Sequence, residues 1–408
     1  MFAAAPDSEL SLYHLLEPET LANPYPLYHR LRNLDPVHWD PYLHAWVVTR
    51  YADAVRVLEH FRAQRTPTPE HLAARDLAEL NPIAQVLVRQ MIFMDPPNHA
   101  RIRALAAAAF TPARVEKLRT HIQEITEGFI DAVAPRGRMD VIADLADLLP
   151  ATVTAELMGI PVADRDRLKA LSRSFSEMLG NFQHNPGRAA AMLRTVDELT
   201  SYFRERIREQ QTEPREGVVR ALLTAEIDGD RLNLDEVIAN CIITLTGGLE
   251  TTTNLIGNGL FTLLENPGGF ARLASDPSLL PSAIEEFLRF ESPIQQTARL
   301  APDDLELGGK TIHKSDAVIS VIGAANRDPA RFPDPDRLDL GRADNRHLAF
   351  GWGGHFCFGA PLARLEAQIV FRTILRRLRN ITLASFPPRW QSNTTFRGLV
   401  ALPISFDA

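Results

Sequence analysis

Phe350-Gly351-Trp352-Gly353-Gly354-His355-Phe356-Cys357-Phe358-Gly359 is the stretch on which the reading of this 408-residue chain turns. Its glycines let the backbone turn tightly and approach a flat ligand closely. The cysteine stands just ahead of a segment with helical periodicity that starts near Pro361 and runs from Leu362 to Leu378. A helix N-terminus offers free N–H groups and a positive dipole end, and both favour thiolate over thiol. An isolated cysteine in a glycine-rich turn would still read as a packing residue. Its company elsewhere in the chain changes that.

Working back from the cysteine, the longest helical pattern runs from Asn233 to Asn266-Pro267-Gly268. Asn233 predicts an N-cap, with Glu236 three residues on completing a capping box. About 32 residues at 1.5 Å each give roughly 48 Å, so a helix this long and apolar must cross the centre of the molecule. Within it lies Gly247-Gly248-Leu249-Glu250-Thr251-Thr252. Small residues at 247 and 248 open one face to a flat group, and Thr251 can turn its hydroxyl to a nearby carbonyl. Glu250 can relay protons through water, and an acid–alcohol pair suits proton delivery. Without Cys357, the same segment would read only as a kink. Further back, Asp95-Pro96-Pro97-Asn98-His99-Ala100-Arg101-Ile102-Arg103 opens a helix and places His99 and Arg103 four apart on one face. Glu286 and Arg289, spaced i,i+3, also share a face.

Helical periodicity also covers about 114–133, 162–179 and 187–211, while strand-like pieces are short: 45–49, 316–321 and 399–404. The fold class expected is mainly α with small β-sheets (α+β). Residues 1–408 are expected to form a single domain, with no repeat, no linker and no room for a fused reductase after the last strand-like piece. Asp328 to Gly359 reads as a long shaped loop packed through Phe332, Leu340, Leu348, Phe350 and Trp352. A net charge of −7 argues against a nucleic-acid binder, which needs a basic face. No signal sequence and no membrane-length apolar run is visible, so a cytoplasmic protein is expected. The two cysteines, Cys241 and Cys357, read as free thiols in a reducing compartment, with Cys241 a packing residue. Gly308-Gly309-Lys310-Thr311 fails as a phosphate loop because Asp304 replaces its first glycine. Gly351-Trp352-Gly353 fails as a dinucleotide fingerprint because Phe356 stands where the third glycine belongs. No C-x-x-C or H-E-x-x-H occurs, so no zinc site is expected.

The stretch around Cys357 resembles the haem-binding signature of the cytochrome P-450 family, F-G-x-G-x-H-x-C-x-G, at every fixed position. The other motifs fit in order and spacing, so the resemblance runs from about Asn23 to Phe406 and points to the soluble bacterial type. It implies that the long helix lies over a haem b and that Cys357 ligates the iron. An electron-rich thiolate favours O–O cleavage over mere O₂ carriage. The resemblance also implies that Glu250 and Thr251 form the oxygen-activation motif, and that Gly247, Gly248, Phe350 and Gly359 contact the cofactor. His99, Arg103, Arg299 and His355 are the implied propionate ligands, which arginine suits because its fork matches a carboxylate. Glu286 and Arg289 are expected to be buried and joined by a loop arginine. Arg337 is the better positional match, ahead of Arg342.

The implied activity is O₂- and electron-dependent hydroxylation, or a related oxidation, of a mostly hydrophobic metabolite of secondary metabolism. Terpenoids, fatty acids, steroids and polyketides are not ranked. Electrons would come from a ferredoxin or flavodoxin with its NAD(P)H reductase. Arg114, Lys117, Arg364, Arg372 and Arg376 are expected to form its docking patch. The pocket should draw on Leu87–Met94, Ser174–Asn185, Ile243, Thr246, Gln295–Ala298 and Thr394–Phe396. A peroxide-driven haem-thiolate oxidase is an alternative disfavoured by the Glu250–Thr251 pair. A non-catalytic haem-binding protein is another, and it would ordinarily carry an output domain.

Overall fold

The computed structural model describes residues 10–107, 112–181, 186–227 and 229–408. The helices that position the site are α1 (Asn98–Ala107), α2 (Arg119–Val133), α3 (Leu148–Met158), α4 (Arg165–Asn181), α5 (Ala189–Thr212), α6 (Leu234–Glu265), α7 (Leu280–Phe290) and α8 (Ala360–Arg377). The strands are β1 (Val37–Asp40), β2 (Ala45–Val48), β3 (Arg138–Asp140), β4 (Thr297–Leu300), β5 (Ala317–Ser320), β6 (Arg379–Leu383) and β7 (Pro403–Asp407), apart from two minor hairpins. They form a four-stranded sheet in the order β1-β2-β5-β4 and a three-stranded sheet in the order β6-β7-β3. The mainly α reading with small sheets is correct.

α6 begins as its sequence dictates. The Asn233 side chain accepts the Glu236 N–H at 2.9 Å, and the Glu236 carboxylate accepts the Asn233 N–H at 2.9 Å. At the far end Asn266 turns its amide onto the Thr262 carbonyl at 2.7 Å, and Pro267 bars a further turn. Two separate cores share this helix. Val237, Ile238, Ile242, Leu245 and Leu249 pack with α4 and α5 residues such as Phe175 and Phe203. Leu255, Ile256, Leu260 and Leu263 pack with Phe287 of α7 and Phe371 of α8. Between the two runs lies a polar seam in which Glu250, Thr252, Thr253 and Asn254 are all buried.

Two expectations need correction. The last strand runs over Pro403–Asp407 instead of 399–404, with Ile404 opposite Met139 of β3. Proline lacks an N–H and is tolerated at the first position of a strand, so Pro403 opens the strand instead of sitting within it. The second correction concerns the loop arginine. Glu286, fully buried, accepts from Arg289 at 2.8 and 2.7 Å, from Arg342 Nε at 3.1 Å, from the Asp339 N–H and from Asn345. Arg337 is not the third member. Its side chain is 66% exposed and lies near Asp334 and Asp339. Asp334 adopts φ 47°, which bends the loop so that Arg337 falls on the outside and Arg342 returns to the carboxylate. The loop otherwise packs as expected, with Phe332, Leu340 and Leu348 buried.

Candidate active site

The Cys357 loop is shaped by two left-handed glycines, Gly351 (φ 74°) and Gly353 (φ 64°). A single helical turn, Gly353–His355, follows, and the Cys357 N–H donates to the Phe350 carbonyl at 2.8 Å. Gly359 caps α8, so the thiol lies at that helix's N-terminus and receives the N–H groups of Gly359 and Ala360. Burial pushes the Cys357 thiol up, and these two donors with Arg103 and Arg364 pull it back towards thiolate. The residue is solvent-accessible yet densely surrounded by protein, as the floor of an internal hollow would be.

Beside it the structure gathers cations. The rings of His99 (α1) and His355 stack with centroids 4.0 Å apart. Arg103, one turn beyond His99, donates to the Phe356 carbonyl at 2.5 Å. Arg299 on β4 is 4% exposed, and its Nη1 donates to its neighbours Thr297 and Ala298. Arg299 Nε and His99 Nε2 are buried without a partner among the described residues. The sequence reading missed Arg65. It lies over the Phe93 ring at 4.5 Å, and its positive charge presses on both Arg299 and His355. Nothing local distinguishes Arg65 from Arg62, since Phe93, Arg299 and His355 all come from other segments of the chain.

Burial, reinforced by mutual repulsion, lowers Arg65 to about 9 and His355 to about 3, and burial lowers Arg299 to about 10. The carboxylate felt by this group is Asp95, whose oxygens already accept the N–H groups of Ala63 and Gln64. Three guanidiniums against one carboxylate, with Arg299 buried and Arg65 and Arg103 half-buried, leave a cradle that calls for an anion. A haem's two propionates meet that need, so the residues present fit the cofactor.

On α6, Thr251 donates its hydroxyl to the Gly247 carbonyl at 2.6 Å. These two residues are four apart and share a face, and Gly247 is exposed although it lies midway along the central helix. A Cβ at Gly247 would meet nothing within 4 Å. One at Gly248 would meet Thr154 Oγ1 at 2.8 Å, so Gly248 lets α6 approach α3 and does not widen the hollow. Glu250 lies about 100° round the helix from Thr251. It is 4% exposed, with Arg173 Nε of α4 at 3.9 Å. Burial raises Glu250 to about 7, against the pull of Arg173. Arg173 and Lys169 in turn approach Asp147 at 3.3 and 3.6 Å.

Three of the expected pocket segments, those at 174–185, 295–298 and 394–396, meet. Thr394 donates to the Gly180 carbonyl of α4 at 3.0 Å and receives Gln296 Nε2 at 3.3 Å. Thr246 and Gln295 are both buried, with the Thr246 hydroxyl donating to the Ile242 carbonyl and the Gln295 amide to the Ser292 carbonyl. Residues 182–185 of the expected lining lie outside the described residues. In the expected docking patch, Arg364 is held by Glu285 and Arg376 by Glu127, which leaves Lys117 and the exposed Arg372 as its better-placed cations.

A family model described as Cytochrome P450 matches residues 45–403. The biotin biosynthesis cytochrome P450 of Bacillus subtilis (strain 168) is 36% identical over 392 residues, covering 95% of this chain and 98% of that one. The cytochrome P450 monooxygenase PikC of Streptomyces venezuelae is 39% identical over 398 residues, covering 94% and 91%. Among solved structures, P450BioI in complex with hexadec-9Z-enoic acid ligated acyl carrier protein superposes with a TM-score of 0.89 at 35% identity, covering 95% of this chain and 99% of that one. CYP109E1 from Bacillus megaterium in complex with testosterone gives 0.88 at 33% identity, covering 96% and 100%.

Proposed function

Given that the chain belongs to the cytochrome P450 family, we propose that Cys357 holds the iron of a haem b whose propionates are bound by Arg65, His99, Arg103, Arg299 and His355. The protein is a haem-thiolate monooxygenase, and the peroxide-driven and non-catalytic alternatives are not favoured. When bound, the haem supplies activation of O₂ and insertion of one oxygen atom into the substrate. The chain's own residues do the rest. Cys357 would hold the iron and supply it with electron density. The Phe350 carbonyl holds the Cys357 backbone through its N–H, while the Gly359 and Ala360 N–H groups are donated to the sulfur.

Gly247 keeps one face of α6 open to the cofactor, while Gly248 acts one step removed by seating α6 on α3. Thr251 presents a hydroxyl to that face. Glu250, which burial brings to titrate near about 7, can take up a proton and pass it towards Thr251 through water. One observation carries this reading: a buried surplus of positive charge beside a thiol at a helix N-terminus.

Electrons come singly from a ferredoxin or flavodoxin with its NAD(P)H reductase, and the substrate is a hydrophobic small molecule. We place the protein in the cytoplasm, where Cys357 stays reduced. The single-domain organisation belongs to the same reading and is supported by one family model spanning 45–403. No helix of the described residues is long and apolar enough to cross a membrane.

The test of the site is the absorbance of the reduced, CO-bound protein. A strongly red-shifted Soret band is expected, and a histidine-type spectrum would overturn the Cys357 assignment. For the cradle, Arg65→Ala and Arg299→Ala should each lose haem faster than the parent when apomyoglobin is added as a scavenger. Equal rates would remove Arg65 from the ligand set. For the substrate, low- to high-spin shifts across fatty acids, steroids and macrolides rank the candidate classes.

A further inference from the structure

One carboxylate near the thiol has no part in the reading above. α7 carries two adjacent acids, and each grips a different part of the loop that leads to Cys357. Glu286 takes the earlier part through Asp339, Arg342 and Asn345. Glu285 takes the later part. It receives both ends of the Arg364 fork at 2.7 Å and His347 Nε2 at 3.2 Å. The Ala349 N–H donates to His347 Nδ1 at 3.2 Å, which leaves Nε2 to carry the proton towards Glu285. The two groups that Glu285 holds both lie against Phe350, the Arg364 guanidinium 4.5 Å over its ring and His347 with ring centroids 5.9 Å apart. Phe350 in turn accepts the Cys357 N–H. Arg364 also stands in the first turns of α8, the helix whose N-terminus holds the sulfur.

We propose that Glu285, Arg364 and His347 form a positioning cluster that fixes Phe350 against the Cys357 backbone and sets the net charge felt at Cys357. It rests on Cys357 being the haem ligand. The cluster has two separable functions. The bidentate fork and the stacking set geometry. The opposed charges of Arg364 and Glu285 set potential, because a guanidinium near the sulfur favours extra negative charge there and its carboxylate partner screens that effect. Burial would raise Glu285, but Arg364 and His347 hold it down to about 2, so the carboxylate stays ionised throughout the working range.

The two functions are distinguished by the ferric/ferrous potential of the purified holoprotein. Glu285→Gln leaves the Arg364 charge unscreened, so the potential should rise. Arg364→Gln leaves the carboxylate unscreened, so it should fall. The double variant should lie between the singles. Arg364→Lys keeps the charge but loses the fork, so its potential should stay near the parent's, while a larger share of its CO complex loses the red-shifted band. Single variants that shift the same way, or not at all, would show that the cluster only supports folding and would overturn the proposal. Should Glu285→Gln not accumulate as holoprotein, the Arg364→Gln and Arg364→Lys pair decides alone, since equal potentials in those two exclude a charge effect. A parent protein without the red-shifted band would overturn the haem-ligand reading and this inference together. A parent with it and unmoved variants would overturn only this one.

Discussion

Glu250, which we propose as the proton carrier, is a carboxyl whose burial brings it to titrate near neutrality. Burial in the polar seam of α6 lifts it to about 7, and Arg173 at 3.9 Å keeps it from rising further. Below about 7 the group holds a proton it can give; above that it is ionised and the supply fails. The product formed per NAD(P)H consumed should therefore fall as pH climbs through about 7. Glu250→Gln, which cannot cycle a proton, should show a lower ratio with little dependence on pH across about pH 6 to 8.5. An unchanged pH profile in that variant would assign the proton route to another group.

At the scale of elements, the Glu286 anchor separates two arginines that look alike in sequence. Arg342 reaches a fully buried carboxylate, and removing one partner of a buried ion pair costs about 3–5 kcal/mol. Arg337 is largely exposed, and a surface change of that kind stays within about 0.5 kcal/mol. Denaturant unfolding of the holoproteins should thus show a large loss for Arg342→Ala and almost none for Arg337→Ala; parity would mean the trio is miscast.

The same pair marks where sequence reading stops. α6 was legible from end to end because a capping box, a 3.6-residue period and Asn-Pro-Gly are local signals. The Cys357 turn was legible because glycine punctuates it, and His99 and Arg103 because helical spacing pairs them. Arg342 was not, since an irregular loop has no period by which to place a side chain. Neither was Arg65, whose neighbours Phe93 and Arg299 come from other parts of the chain. Gly248 looked equivalent to Gly247 until α3 was seen to lie against it. The start of β7 depended on Met139, some 260 residues away in the pairing Ile404↔Met139.

For the whole molecule, buried carboxyls shape stability against pH in opposite directions. Glu366 of α8 is 1% exposed, its Oε2 lacks a partner among the described residues, and burial raises it to about 8. Its folded value lies above the ordinary 4.5, so the native state holds the proton more tightly and stability drains away as pH rises from about 4.5 to about 8. Glu285 has the reverse sign: its contribution is present above about 4.5 and lost as pH falls towards about 2. Glu366→Gln should match the parent near pH 4.5 and exceed it by a few kcal/mol, on the order of one pKa unit per 1.4 kcal/mol, near pH 8. Unfolding free energies at the two pH values check this, and a constant difference would refute it.

Two cores hung on one 32-residue helix make α6 the beam of the molecule. A beam flexes where its section is weakest, and here that is the seam, where Thr251 draws off the Gly247 carbonyl and apolar packing changes from one core to the other. Any breathing of one core against the other would therefore bend α6 at the seam where its two apolar runs meet. On the proposed reading, the backbone at that bend is also the backbone that carries Glu250 and Thr251.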